Sequence, residues 1–336
     1  MLIALFTLAV VTSLISCKDK DDPVTLIGNW HELPDFGGDA RYEAVAFTIG
    51  EIGYVGTGYN GDDRLNDFWA YDAGTNNWTA IATDTAFKPR TGAVAFSAAG
   101  KGYVGSGRDD RNELKDFWKY DPDLNKWTRV ADMPVERFGA VAFSINDIGY
   151  VGTGFNGSAL LDFYAYNPGV NLWTAIANYP SKVRDAVAFV LDNKGYKGYV
   201  CTGQKNGVLI NDFYMYDPET DQWEAKRKID NVSSESYDDA YENLIIRQNA
   251  VAFTIGGKAY VTTGDNNSVL KQDVWEYDPA SDLWVTRSLF EGGQRNNAVA
   301  FSTASGRGFV TTGANGSATY DDLYEFKPLE DFNEDD

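Results

Sequence analysis

One unit written six times constrains this chain more than any other feature of its 336 residues. The string Ala-Val-Ala-Phe ends at Phe47, Phe96, Phe143, Phe189, Phe253 and Phe301, at spacings of 49, 47, 46, 64 and 48 residues. A second string, Gly-Tyr-Val-Gly-Thr-Gly or a close variant, ends at Gly58, Gly107, Gly154, Gly203, Gly264 and Gly313. A third opens with Asp67, Asp116, Asp162, Asp212, Asp273 and Asp322, each followed by an apolar residue and then an aromatic. Tyr71, Tyr120, Tyr166, Tyr216 and Tyr277 each precede a Trp by seven positions. A period of this size marks a repeat architecture, in which each unit buries its apolar face against its neighbours.

Every unit holds four short runs rich in Val, Phe, Tyr, Trp and Thr, separated by Gly, Asn and Asp-Pro clusters. These are strand and turn signals, not helix signals. Four strands in roughly 47 residues make one propeller blade, so the expected fold is all-β, a six-bladed β-propeller. The Tyr-then-Trp spacing and the glycine-ended second strand resemble the kelch family, the blade type also found in galactose oxidase. The resemblance covers Leu26 to Phe326, with one departure: Thr57-Gly58, Ser106-Gly107 and their equivalents stand where kelch blades carry a double glycine. The Trp and Tyr series repeat in phase with the blades, so they read as inter-blade core or blade-edge packing.

The ends of the array predict how the ring closes. The sixth unit has Asp322, Tyr324 and Phe326 but no Trp after them, and a spare Trp30 lies 48 residues before Trp78. Residues 26–33 should therefore form the outer strand of the last blade and cover an otherwise open edge. The propeller is expected over residues 25–328, followed by an acidic tail, 329–336.

Residues 1–16 form an uncharged apolar run, too short to span a bilayer and of signal-peptide length. It ends in Leu14-Ile15-Ser16-Cys17, which resembles a bacterial lipobox; the resemblance implies cleavage before Cys17 and a lipid anchor on it. A plain secretory signal is the competing reading. Residues 17–24, charged and carrying Pro23, read as a solvated tether and look like the acidic export signal of some surface lipoproteins. The expected location is the cell envelope, anchored in the outer membrane. With Cys17 lipidated, Cys201 has no disulfide partner.

The formal net charge of −20, with no basic tract, argues against nucleic acid as a partner. The single His31 excludes copper chemistry of the galactose oxidase type, Ser-His-Asp triads and zinc hydrolysis, each of which needs other or further imidazoles. No metal site and no cofactor is expected. Arg41, Arg90, Arg137, Arg247 and Arg295 each sit six residues before their Phe, at the start of an innermost strand. They are candidates for a ligand-facing ring at one channel mouth, since guanidinium groups suit carboxylates. The kelch resemblance implies contact with an acidic peptide at this position. The competing reading pairs them with the six strand-three Asp residues, as register devices of the repeat. Arg184 is one residue out of step and joins the ring only if a bulge re-aims it.

The long interval comes from an insertion, Lys226–Ile246, between blades 4 and 5. A short helix is expected through Asp239–Leu244, with Tyr237, Tyr241 and Glu242 overhanging the channel. Glu242 and Arg247 form the weak catalytic candidate pair. The Asn- and Gly-rich loops after the second strands are turns first, and also suit sugar hydroxyls. These residues favour a non-catalytic binding propeller for a glycan or an acidic peptide. The alternatives are an enzyme like the kelch-type sialic acid mutarotases, similar in architecture and blade count, and a structural subunit of a surface complex.

Overall fold

The computed structural model describes residues 26–316 and 318–333. The expected signal peptide, the expected lipidation site Cys17 and the expected tether lie outside the described residues. Six four-stranded antiparallel sheets form the blades of a ring. Blade 1 comprises Val45–Ile49, Ile52–Gly56, Phe68–Asp72 and Asn77–Ala80, innermost strand first, and the next four blades repeat this order. In blade 6, Val299–Ser302, Gly308–Thr311 and Leu323–Asp331 are completed by the N-terminal strand Ile27–Leu33. Trp30 pairs with Phe326 in that strand's register, so the expected closure is present. The last strand continues to Asp331 because Ile27 pairs with it, beyond the boundary expected at 328.

The repeated motifs are the contacts between blades. Phe47 of blade 1 lies over Gly102 of blade 2, where a Cβ would sit 2.1 Å from the ring. That close approach favours the glycine that opens the Gly-Tyr-Val string in five blades, while blade 5 carries Ala259 there. The Tyr-to-Trp unit is a clasp. Tyr120 donates its hydroxyl to Asn125 Oδ1 at 2.9 Å, and the Ala82 amide of the preceding blade donates to the same oxygen, also at 2.9 Å. Trp127 Nε1 then donates to Ala82 O at 2.9 Å. The clasp recurs at Trp173 with Ala131 and at Trp223 with Ala177. Cys201 is fully buried, and burial pushes its thiol well above the ordinary range.

The departure from the double glycine has a conformational consequence. Thr57, Ser106, Thr153, Thr202, Thr263 and Thr312 all take φ between 55° and 63°. All six are fully buried, and their hydroxyls have no partner among the described atoms. A left-handed β-branched residue costs roughly 1–2 kcal/mol, and glycine in its place forfeits only about 0.5–1 kcal/mol of chain entropy. Thr57→Gly is therefore expected to raise stability by about 0.5–1 kcal/mol, with Thr153→Gly additive to it in thermal melts. A lower melting temperature for both variants would show that the hydroxyls are satisfied.

The insertion differs from expectation. A single 3-10 turn, Ser236–Asp238, replaces the predicted helix, and turns follow it. Asp238 holds it by accepting bonds from the Val232 and Ser233 amides. Ile229, Tyr241 and Ile245 are buried in the core between blades 4 and 5, because apolar burial outweighs exposure over the channel. Tyr241 accepts a bond from the Trp284 amide at 2.9 Å, and Tyr237 packs beside Tyr241 and under Arg227. Neither tyrosine lines the channel mouth.

Candidate functional site

The five in-step arginines are wholly buried, each spent on its own blade. Arg90 Nη1 and Nη2 reach Asp116 Oδ1 and Oδ2 at 2.9 and 2.8 Å. The same guanidinium donates to Ser106 O at 3.1 Å and Lys88 O at 3.0 Å. Arg41 with Asp67, Arg137 with Asp162 and Arg295 with Asp322 repeat the fork, and Arg247 bonds Asp273 at 2.7 Å. The carbonyl of the left-handed residue (Thr57, Ser106, Thr153, Thr263 or Thr312) accepts from the guanidinium and completes each cluster. Burial alone would raise the Asp67 and Asp116 carboxyls. Their Arg partners and the indoles of Trp69 and Trp118 outweigh it and hold both below the ordinary range.

The ring of arginines thus faces its own carboxylates, and none of the five lines the channel mouth. This corrects the expectation that Arg41, Arg90, Arg137, Arg247 and Arg295 point at a ligand: guanidinium burial needs a complete set of acceptors, and the strand-three Asp supplies them. The Glu242–Arg247 pair is not assembled either. Glu242 is exposed, while Arg247 is buried against Asp273 and the carbonyls of Leu244, Ile245 and Thr263.

Blade 4 breaks the pattern. Val183 fills the arginine position, its carbonyl accepting from Gly154 as Arg90 O accepts from Gly58. Asp212 is paired with Lys228 instead. Arg184 falls one residue later, where Tyr42, Thr91, Phe138, Gln248 and Asn296 stand in the other blades. No bulge returns it to the ring.

At this level the channel is closed by a hydrogen-bonded circle of backbone. The amides of Glu43, Gly92, Gly139, Asp185, Asn249 and Asn297 each donate to the carbonyl of the preceding member, at 2.9–3.2 Å, and Glu43 donates to Asn297. All six residues take φ between 52° and 59°. Their varied identities hid the motif in the sequence, although Gly, Asn and Asp are the residues that tolerate this conformation.

Above the circle lies a cavity of about 450 Å³, lined on one arc by Arg108, Phe138, Arg184 and Asp185. Gln204, Gln248, Asn249 and Asn297 supply amides, and Glu43 completes the charges. Arg108 Nη2 lies 3.3 Å from both Glu43 carboxylate oxygens, and Arg184 Nε lies 3.3 Å from Asp185 Oδ2. These pairs are longer than those of the buried ring, and the two arginine side chains are 38 % and 28 % exposed. Phe138 lies under Arg108 at 4.6 Å and Phe155 under Arg184 at 4.9 Å.

Asp185 is the titratable centre of the mouth. Oδ1 sits over Gly139, where a Cβ would lie 2.3 Å away. Burial raises its carboxyl to about 6, with Glu43 adding to the shift and Arg184, Arg108 and the Gln204 amide opposing it. Because the folded value exceeds the ordinary one, Asp185 favours the fold in acid. That contribution is lost as the pH rises through about 6. Below the mouth, Ala44, Ala46 and their equivalents in every blade line the channel. Among the described residues no group of three or more His, Cys, Asp or Glu is placed to hold a metal ion.

Comparison with known proteins bears on the family. The model described as the KLHDC2/KLHL20/DRC7 Kelch-repeats domain matches residues 28–133, and the Kelch motif model matches residues 199–226. A search of curated proteins returned no match. Among solved structures the chain is similar to one titled "Structure of YjhT", with a TM-score of 0.67 and 17 % identity over 87 % of this chain and 96 % of that one. That is a likeness of fold. The chain therefore carries kelch-repeat matches over residues 28–133 and 199–226 within a six-bladed β-propeller.

Proposed function

We propose that the propeller binds a small acidic glycan at the channel mouth without altering it, on a lipid-tethered protein of the cell envelope. One observation carries the reading: Arg108 and Arg184 reach the cavity partly exposed and loosely held, while the five repeated arginines are buried against their strand-three Asp partners. Two guanidinium groups suit a sugar carboxylate. The amides of Gln204, Gln248, Asn249 and Asn297 suit hydroxyls, and Phe138 adds apolar surface to the lining.

Calorimetry with glucuronate, N-acetylneuraminate and neutral galactose tests this. The two acids should bind and galactose should not. Arg184→Ala and Arg108→Ala should each weaken binding about tenfold or more, since a hydrogen bond to a charged group is worth roughly 1.5–3 kcal/mol. Protonating Asp185 leaves the mouth one unit more positive, so affinity should rise on the order of tenfold from pH 7.5 to pH 5. Asp185→Asn, which copies the residue at 249 and 297, should abolish that dependence. Equal binding of galactose, or arginine variants with unchanged affinity, would defeat the proposal.

A second reading, an enzyme that interconverts anomers, draws on Asp185, because a carboxyl titrating at about 6 can exchange protons near neutral pH. NMR of the same sugars distinguishes it: anomer exchange accelerates with the wild type and not with Asp185→Asn.

A further inference from the structure

The mouth is not an isolated cup. A small cavity of about 150 Å³, between Tyr42, Tyr59, Thr91 and Arg64, shares Glu43 and Arg108 with it. That cavity in turn shares Tyr59 and Arg64 with a groove of about 680 Å³ on the rim of blades 1 and 2. The three abut in a line from the channel axis to the outer loops. Along the line the chemistry changes. The mouth presents Arg108 and Arg184 against Glu43 and Asp185, two cations to two carboxylates. The middle presents two half-buried tyrosines in edge contact, centroids 5.6 Å apart, with Arg64 over Tyr59 at 5.8 Å. The rim groove carries Asp62, Asp63, Asp109 and Asp110 against Arg64, Lys88 and Arg111, four carboxylates to three cations. Two of those cations are already paired there, Arg64 with Asp110 and Lys88 with Asp109. With two cations to two carboxylates at the axis and three to four at the rim, an anion is less opposed at the axis than at the rim.

We infer that the trough takes an extended oligosaccharide with a single terminal acid sugar at the mouth, followed by neutral sugars across Tyr42 and Tyr59 to the rim. This rests on the reading of the mouth as an acid-sugar site. It adds two outward subsites and excludes polyanionic chains. The tyrosine pair supplies the apolar faces that sugar rings stack on, and the rim loops supply carboxylate and amide acceptors, Asn112 among them, for hydroxyls.

The test compares chain lengths on the propeller by calorimetry. 3′-Sialyllactose should bind at least about tenfold more tightly than N-acetylneuraminate, and trigalacturonate no more tightly than galacturonate. Tyr59→Ala should remove the gain from length and leave the monosaccharide affinity within about twofold. Replacing the exposed Asp62 and Asp63 together by Lys leaves the tyrosines untouched, and should make trigalacturonate bind more tightly than galacturonate. Equal affinity for sialyllactose and its free acid sugar would overturn the trough while leaving the mouth reading intact. A gain with length for trigalacturonate on the unaltered protein would overturn the neutral outward subsites. Failure of both acid monosaccharides to bind would overturn the mouth reading, and this inference with it.

Discussion

Trp30→Ala should lower the melting temperature by roughly 5–8 °C, because truncating a buried Trp costs about 3–5 kcal/mol. Trp30 is completely buried in blade 6, with ring centroids of Phe326, Phe290 and Phe253 at 4.7, 4.8 and 5.9 Å. Its indole N–H has no partner among the described atoms, so the loss is one of packing rather than of a hydrogen bond. Trp30→Phe should recover part of it. Removing residues 26–33 goes further. It uncovers the nine-residue strand Leu323–Asp331 and opens the sheet in which the first described strand pairs with the last. An exposed strand edge of that length recruits other chains, so the truncated protein should aggregate instead of melting as a monomer. Light scattering and thermal melts of both forms read this. A monomeric truncation with an unchanged melting temperature would mean that the ring is held by its other five blades alone.

The sequence was most legible where it repeats. Blade number, the four strands of each blade and the closure by Trp30 followed from motifs that recur because every blade faces the same neighbours. The strand-three Asp is a case where the repeat identified the residue but not its orientation. An arginine six positions before Phe reads equally well as ligand-facing or as paired, and only the placement of Asp116 within 3 Å of both Arg90 nitrogens decides it. The candidate site was hardest to read for the converse reason. Arg108 and Arg184 occupy positions that carry Tyr59 and Phe155, or Tyr42 and Phe138, in neighbouring blades. No period announces them. Arg184 was visible as one residue out of step, and that break of phase was the signal. Tyr241 failed in the opposite direction: an inserted segment with two tyrosines and three isoleucines reads as a lid, yet it had a ready cavity to fill between blades 4 and 5.

Arg90→Ala is expected to cost about 3–5 kcal/mol, the usual result of removing one partner from a buried ion pair. The pair itself is weak grounds for stability, since an apolar replacement of both partners can be neutral. Removing the guanidinium alone is different. It strands the Asp116 carboxylate, whose side chain is 17 % exposed, and leaves the Ser106 and Lys88 carbonyls without their donor. Asp116 lies below its ordinary range in the fold, so the pair's contribution is present above the ordinary carboxylate value and is lost as the pH falls through the folded one. The gap between wild type and variant should accordingly be widest near neutrality and narrow in acid, as the stranded carboxyl takes up a proton. Arg90→Lys should restore the charge but not the fork, and recover only part of the loss. Arg137→Ala should cost a similar amount at neutral pH, because Asp162 is held by the same fork. Binding of acid sugars should survive both alanine variants wherever the protein remains folded, since neither guanidinium reaches the mouth. Urea unfolding at pH 7.5 and pH 4.5, run beside calorimetry with glucuronate, separates the two roles. A variant that keeps its stability but loses the sugar would return the repeated arginines to the ligand.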